Sequence, residues 1–218
     1  LTNPKIAAHL SVFDEAVALS ESIDWLQKLN YQMLEKRPEG NILSRIRRFI
    51  NQEDFLPHHA QLETISSEGV FFSDASGNKI TVDAMSDGYR SILSMTFEII
   101  RQLQATYQTD DLFNADDTEV RMPGVVLIDE IDAHLHPTWQ KRVGFWFRQH
   151  FPRMQFIVTT HSPLVCQAAE VGSVWKLPRP GTEEVCQRII GNELERLLYG
   201  DILEAYSTRL FELHETRS

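Results

Sequence analysis

Residues 124–132 read Gly-Val-Val-Leu-Ile-Asp-Glu-Ile-Asp, an apolar run that ends in carboxylates. A parallel strand that helices cover on both faces is continuously apolar, so Val125–Asp129 predicts a buried strand. Open α/β sheets bind their ligands at the carboxyl ends of the strands, which is where Asp129 and Glu130 fall. The pattern predicts a charged site at a strand end, although two adjacent acids at this position also occur for purely structural reasons.

A second strand is predicted to end beside the first, at Thr159–Ser162. Pro137 is suited to the first position of a helix that must stop near Pro152, and Phe156–Thr160 form the next apolar strand. The buried face of this helix is expected to carry Trp139, Val143, Trp146 and Phe147. Strand, helix and strand make a right-handed βαβ unit, which puts His161 at the same crevice. A histidine there can donate to a phosphate oxygen, or it is an ordinary satisfied residue at a strand end.

A third motif precedes these two, at Met85–Ser91, which reads Met-Ser-Asp-Gly-Tyr-Arg-Ser. Ser86 and Gly88 stand at the predicted start of a helix whose apolar stripe is Ile92, Met95, Ile99 and Leu103. A hydroxyl, free backbone N–H groups and the positive helix end make an anion site. The competing interpretation is an ordinary helix N-cap.

Composition limits the classes of protein that are compatible with the chain. With 218 residues, 42% of them hydrophobic, it can build one ordinary core with a small appendage. The net charge of −10 argues against a surface that coats nucleic acid in general. Cys166 and Cys186 show no metal or disulfide spacing. Because there is neither a signal-peptide pattern nor an apolar run of bilayer length, we expect a cytoplasmic protein with no membrane partner.

The remaining segments give a coarse outline. Residues 4–51 are predicted to be helical, residues 61–83 to form short antiparallel strands, and residues 107–122 to be an acidic, solvated loop. A hairpin is expected over residues 174–190, followed by helices near 193–198 and 202–214. One face of the helix near residue 45 carries Arg45, Arg47 and Arg48, for which a solvated face is favoured over phosphate contacts.

The order of these motifs resembles that of the ABC-type ATPases, the group of transporter motors, structural-maintenance-of-chromosomes proteins and RecF-like repair ATPases. Met85–Ser91 is similar to their signature motif, Val125–Glu130 to Walker B, Ile131–His136 to the D-loop and Thr159–Ser162 to the switch-histidine loop. The residues of these motifs are most similar to those of the soluble bacterial AAA/ABC-like branch. This branch is related to the overcoming-lysogenization-defect nucleases and to the ATPase subunits of Septu and retron anti-phage systems.

The resemblance implies an α/β P-loop NTPase fold with a parallel sheet flanked by helices. Residues 1–60 would be a helical segment, and residues 61–218 the C-terminal portion of the ATPase domain. The implied ligands are ATP and Mg²⁺, with Asp129 in the magnesium role, Glu130 as the catalytic base and His161 as the sensor of the γ-phosphate.

The family's arrangement also implies composite sites in a homodimer or higher homo-oligomer. Ser86 and Gly88 would contact the γ-phosphate of ATP held by a second protomer, and Asp132 would link the two sites. Arg90 would reach a phosphate or a neighbouring carboxylate. His134 and His136 are expected to pack against the dimer partner, with metal binding as the weaker alternative.

One element of the family pattern is missing from these 218 residues. No Gly-x-x-x-x-Gly-Lys-[Ser/Thr] string, the Walker A loop whose backbone cradles the phosphates, occurs in the sequence. Since the sequence begins with Leu1, the expected explanation is that the lobe carrying this loop precedes it. A separate polypeptide that supplies the loop and a degenerate homologue are the alternatives.

The resulting hypothesis is an ATPase that dimerises around ATP and controls an effector protein, a nuclease or a toxin, in anti-phage defence or DNA maintenance. The alternative is a regulatory subunit that senses ATP or nucleic acid with negligible turnover and holds such an effector inactive. The residue sequence of the D-loop region, Asp129–Pro137, disfavours a membrane-transport motor.

Overall fold

The structure, a computed structural model, comprises two compact units, residues 1–126 with 150–155 and residues 127–149 with 156–218. The residues that it describes are 15–53, 55–56, 59–73, 76–178, 181–206, 208 and 211. The predicted helical segment before residue 15 and most of the predicted helix after residue 206 therefore lie outside the described residues.

The first unit combines helices with an antiparallel sheet. Its helices are α1 (Glu15–Leu34), α2 (Ile42–Ile50) and α3 (Asp87–Tyr107), and its strands are β1 (Gln61–Ser66), β2 (Gly69–Ser73) and β3 (Lys79–Thr81). The sheet order is β1-β2-β3, with both pairs antiparallel, as predicted. The predicted helical region is interrupted after Leu34 and resumes at Ile42, with a short 3₁₀ turn, Pro38–Gly40, between the two helices.

Helix α3 is buried more widely than its predicted stripe. Phe97 and Ile100 are almost completely buried in addition to Ile92, whereas Met95 is only partly covered. Helix α1 lies along α3, where Trp25 Nε1 donates to Gln104 Oε1 at 2.9 Å and Arg101 pairs with Glu21 at 2.9 Å. The helix is therefore a central element of this unit and not only an amphipathic surface helix.

The segment between α3 and the next strand is not a solvated loop, which corrects the prediction. Leu112, Phe113 and Val120 are fully buried, and Asp117 is only 3% exposed. Phe113 packs against Phe49 of α2 with ring centroids 5.3 Å apart. Sequence reasoning weighed the acids of this segment and overlooked the apolar side chains between them, which anchor it to α2.

The second unit contains the carboxyl ends of a strand pair and the elements that follow it. Strands β4 (Gly124–Ile128) and β5 (Met154–Val158), each of which begins in the first unit, are neighbours joined by α4 (Pro137–His150). Beyond them come α5 (Pro163–Cys166), the hairpin β6 (Trp175–Lys176) and β7 (Gln187–Arg188), α6 (Gly191–Tyr199) and α7 (Ile202–Tyr206). The predicted strand-helix-strand unit and the predicted hairpin are confirmed.

Helix α4 packs on one face of the strand pair. Its predicted apolar face is confirmed, since Trp139, Val143, Trp146 and Phe147 are between 1% and 7% exposed. Phe147 contacts Phe156 of β5, with ring centroids 5.1 Å apart. A Cβ added at Gly144 would lie 2.5 Å from the Cβ of Ala168, so the glycine permits the close approach of the segment after α5.

The other face of the two strands is open, contrary to the prediction of a strand covered on both sides. Leu127 is 75% exposed and Ile157 is 51% exposed, and Val125 is 62% exposed as well. A continuous apolar run predicts cover on both faces, but only the face toward α4 is covered within the described residues. None of the helices in the described part of the chain combines the length and hydrophobicity that a bilayer crossing requires.

Candidate functional site

Two carboxylates and an imidazole converge where β4 and β5 end. Asp129 and Glu130 directly follow β4, and His161 follows β5 after two threonines. His161 Nε2 lies 3.9 Å from Glu130 Oε1, and the two side chains are 86% and 62% exposed. Both groups are therefore available to a ligand that approaches the carboxyl edge of the strands.

Thr159 connects the first two acids. Its hydroxyl accepts a 2.8 Å hydrogen bond from the Glu130 backbone N–H and donates to Asp129 Oδ1. No described residue hydrogen-bonds Asp129 Oδ2. One oxygen of Asp129 is thus held in place while the other remains available to a ligand.

The third acid, Asp132, is bound to the segment that carries His161. Thr160 donates its hydroxyl to Asp132 Oδ1, and the His161 backbone N–H donates to the same oxygen at 3.1 Å. The Ser162 N–H then donates to Thr160 Oγ1 at 3.0 Å. Asp132 therefore positions the histidine segment of its own chain.

Gln140 of α4 fixes the far side of this segment. Ser162 Oγ, which is 3% exposed at the N-cap of α5, donates to Gln140 Oε1 at 2.8 Å and accepts from Leu164 N at 3.3 Å. The Gln140 amide donates in turn to Leu135 O at 2.9 Å. The two loops that carry the acids and the histidine are thereby tied to one helix.

His136 has a structural role that the sequence did not suggest. Its Nδ1 accepts from the Thr138 backbone N–H at 3.3 Å, and its carbonyl accepts from Trp139 N at 2.8 Å, so it caps α4. Within the described ranges, no group of three or more His, Cys, Asp or Glu side chains has the geometry of a metal site. A cation at Asp129 would take its other ligands from water and phosphate, which is the usual preference of Mg²⁺.

Ser86, Gly88 and Arg90 lie in the other unit, at the start of α3. Ser86 occupies the N-cap position, but its side chain makes no capping hydrogen bond, and it is exposed. Arg90 pairs with Asp87, one turn away, so its guanidinium is engaged by a carboxylate. The ordinary N-cap interpretation of Ser86 therefore does not describe its side chain.

The prediction of a solvated arginine face on α2 is wrong for Arg45, whose side chain is 24% exposed, whereas the Arg48 side chain is 60% exposed although it is also paired. Arg45 Nε donates to Asp117 Oδ1 and Arg48 Nε to Asp117 Oδ2, each at 2.6 Å. Burial opposes ionisation of Asp117, but hydrogen bonds and charge from the two guanidinium groups outweigh it and hold the pKa of this carboxyl below its ordinary value. The cluster links α2 to the segment after α3 and engages the guanidinium groups of Arg45 and Arg48 with a carboxylate.

The sequence analysis placed Thr159, Thr160 and Ser162 in the segment around His161 without individual roles, and gave Gln140 no role. One signal was available, because Ser162 is followed by Pro163, the sequence of an N-cap before a first-turn proline. The hydroxyl contacts of Thr159 and Thr160 had no such signal, since they depend on how the two strands end.

The acidic pair follows one strand and the histidine follows the next, on the α/β scaffold of an AAA domain. The family described as "AAA domain, putative AbiEii toxin, Type IV TA system" matches residues 6–167. The chain belongs to this family.

Curated relatives include a retron protein and a Septu protein. The "Retron Ec83 probable ATPase" of Escherichia coli is 36% identical over 123 residues, which cover 56% of this chain and 22% of the relative. The "Septu protein PtuA" of Bacillus thuringiensis is 30% identical over 143 residues, covering 66% of this chain and 35% of the relative. The chain thus spans about a fifth to a third of the length of these relatives.

Solved structures include the Smc head domain with a coiled coil and joint derived from Pyrococcus yayanosii. It is 20% identical, matches 77% of this chain and 31% of its own chain, and superposes with a TM-score of 0.46.

Proposed function

We propose that this chain supplies the hydrolytic groups of a dimeric ATPase that controls an effector protein in anti-phage defence. The observation that carries the proposal is the 3.9 Å approach of His161 Nε2 to Glu130 Oε1 beside Asp129. An exposed carboxylate and an exposed imidazole at the ends of adjacent strands suit a reaction that takes a proton from water while charge develops on a phosphoryl oxygen.

Each side chain has a defined task in this proposal. Glu130 orients the attacking water and accepts its proton, and His161 donates a hydrogen bond to the γ-phosphate. The free oxygen of Asp129 is suited to the water shell of Mg²⁺, which when bound neutralises phosphate charge. Asp132 keeps the histidine segment in place through the His161 N–H, at 3.1 Å.

The second half of each site would come from another protomer. The exposed Ser86 hydroxyl, which does not cap its own helix, and the free N–H groups at the start of α3 suit a phosphate oxygen. Gly88, in the first turn, allows a phosphate to approach the backbone closely. Arg90 is a weaker candidate for phosphate binding because Asp87 already pairs with it.

The phosphate-binding loop would be supplied from outside these 218 residues. The open face of β4 and β5, with Leu127 75% exposed and Ile157 51% exposed, is the surface on which we propose that the segment carrying this loop packs. Large apolar patches of this kind mark interfaces, and this one leads directly to Asp129. The lengths of the relatives, of which this chain covers 22% and 35%, agree with a larger ATPase.

The effector is proposed from the resemblance of the motifs to the ATPase subunits of retron and Septu systems, and two curated relatives carry those names. The dimer would switch between an open and a closed state. Contacts to the γ-phosphate would favour the closed state, and hydrolysis would release it. A nuclease or a toxin is the class of partner that such a switch would hold or release.

The test is ATP turnover by Glu130→Gln in the protein assembled with its phosphate-binding loop. We expect hydrolysis to fall by roughly 10²–10⁴-fold, the usual contribution of a general base, while the ATP-bound dimer persists. Glu195→Gln makes the same change at an exposed residue of α6 and should retain wild-type turnover. Wild-type hydrolysis by Glu130→Gln would refute the assignment.

A further inference from the structure

The end of β4 departs from regular parallel pairing at the residue proposed as the catalytic base. Thr159 N donates to Ile128 O at 3.0 Å, and a regular ladder would continue with Glu130 N donating to Thr159 O. Instead, Ile131 N donates to the Thr159 carbonyl at 3.1 Å, and Glu130 N donates to the Thr159 hydroxyl at 2.8 Å. A side chain has therefore replaced a backbone acceptor, and Asp129–Glu130 is looped out of the ladder.

The same departure places Glu130 in a conformation that its own backbone disfavours. Its φ is +47°, in the left-handed region, which residues with a Cβ adopt at an energetic cost. Such a conformation persists only where surrounding contacts hold it. Among the described residues, the contact on the Glu130 N–H is the Thr159 hydroxyl.

Thr159 can hold both acids because one hydroxyl donates once and accepts twice. It donates to Asp129 Oδ1 while it accepts from the Glu130 N–H. Valine has nearly the same shape but offers neither function. Without the hydroxyl, the Glu130 N–H would lose its acceptor, and the regular ladder bond to the Thr159 carbonyl would become the available alternative.

We propose that Thr159 is a positioning residue: its hydroxyl holds the Glu130 backbone out of the ladder, so that the carboxylate faces His161. The proposal rests on the function proposed above for Glu130. It predicts two backbone states of the strand end, one with Glu130 bonded to a side chain and one with Glu130 bonded to the ladder. Thr159 would select the first.

The test compares Thr159→Val with Thr159→Ser, which retains the hydroxyl, in the protein assembled with its phosphate-binding loop and supplied with Mg-ATP. We expect Thr159→Val to lower kcat on the order of 10–100-fold, as misplacement of a reacting group does, with the KM for ATP nearly unchanged. Thr159→Ser should restore kcat to within about threefold of wild type. Equal kcat in the two variants, or an equal loss in kcat and in ATP affinity, would overturn the proposal.

A measurement independent of turnover separates this inference from the proposed function. In protein labelled with ¹⁵N-glutamate, the Glu130 amide resonance should shift in Thr159→Val and stay near its wild-type position in Thr159→Ser. An unshifted resonance in Thr159→Val would overturn the inference even if the ATPase is real. Absence of ATP hydrolysis in the wild type, with the resonance shifting as expected, would refute the ATPase and leave the positioning contact standing.

Discussion

The backbone N–H of His161 donates a 3.1 Å hydrogen bond to Asp132 Oδ1, the same oxygen that accepts the Thr160 hydroxyl. The carboxylate thereby fixes the main chain that carries the imidazole. The family resemblance assigned Asp132 a link between two protomers. In this chain its contacts lie within the protomer, which makes it a support for His161 whether or not it also contacts a partner.

Replacement of Asp132 should therefore impair the histidine's position. We expect Asp132→Ala to lower ATP turnover on the order of 10–100-fold, because both hydrogen bonds to the carboxylate are lost. Asp132→Asn keeps an acceptor oxygen and should lose much less. Steady-state kcat and KM for the two variants give the comparison. Equal losses in both variants would show that the charge of Asp132, and not its role as an acceptor, is what matters.

Ser86 is predicted to act on the site of the other protomer. Ser86→Arg and Glu130→Gln should each be inactive alone, yet a mixture should recover activity, because a heterodimer has one site with both groups intact. Random pairing gives roughly a quarter of the wild-type rate, since half of the dimers carry one intact site of two. No recovery after mixing would place Ser86 and Glu130 in the same site of one protomer.

Several features of this site could be predicted from the sequence because they depend on local patterns. The apolar run before Asp129, Pro137 at the start of α4 and the second strand before His161 each have their own signal. The prediction that β4 is covered on both faces was wrong for a physical reason. An apolar run reports what a strand packs against in the complete assembly, and Leu127 remains 75% exposed here.

Contacts between residues that are far apart in the sequence could not be predicted from local sequence patterns. Arg45 and Asp117 are 72 positions apart, so the arginine was interpreted as a solvated charge and the aspartate as part of a solvated loop. Their pairing depends on how the buried Phe113 segment packs on α2. The left-handed Glu130 is similar, since its N–H donates to the hydroxyl of Thr159, a residue 29 positions away that follows another strand.

The Asp117 cluster predicts a pH-dependent contribution to the stability of the first unit. Asp117 is almost fully buried between Arg45 and Arg48, so Asp117→Asn should lower the free energy of unfolding at pH 7 by about 2–4 kcal/mol. Because the folded pKa is lowered below 3.8, this contribution is complete above the unfolded pKa and is lost as pH falls through the folded one. The variants should therefore converge in stability under acid.

The matched control for this prediction is Asp111→Asn. Asp111 also pairs with Arg45, at 2.9 Å, but its side chain is 71% exposed. An exposed pair contributes less than about 1 kcal/mol, so this variant should unfold nearly as the wild type does. Urea denaturation at neutral and acidic pH measures both. A difference between Asp117→Asn and the wild type that is constant with pH would contradict the assigned linkage.

The two cysteines should differ sharply in reactivity. Burial raises the pKa of Cys166 to about 12, and the charge of Asp132 adds to this, whereas Cys186 is exposed. The thiolate is the reactive form, so iodoacetamide at pH 8 should label Cys186 rapidly and leave Cys166 unmodified until the protein unfolds. Peptide mass mapping identifies the labelled site. Rapid labelling of Cys166 in the folded protein would contradict its burial behind the histidine segment.

The open face of the β4–β5 pair gives the prediction that bears most directly on the missing phosphate-binding loop. Leu127→Asp should cost this chain little by itself, because the side chain is 75% exposed, but it should prevent the proposed segment from packing. In the assembled ATPase we therefore expect loss of ATP binding, measured by titration of a fluorescent ATP analogue, together with a lower free energy of unfolding. Burial of one leucine contributes about 1.5–3 kcal/mol, and this contribution is lost when an aspartate is buried instead.

Val171→Asp is the matched control, because Val171 is 83% exposed in the same unit and lies outside the strand pair. Equal ATP affinity in the two variants would mean that the segment carrying the phosphate-binding loop packs elsewhere.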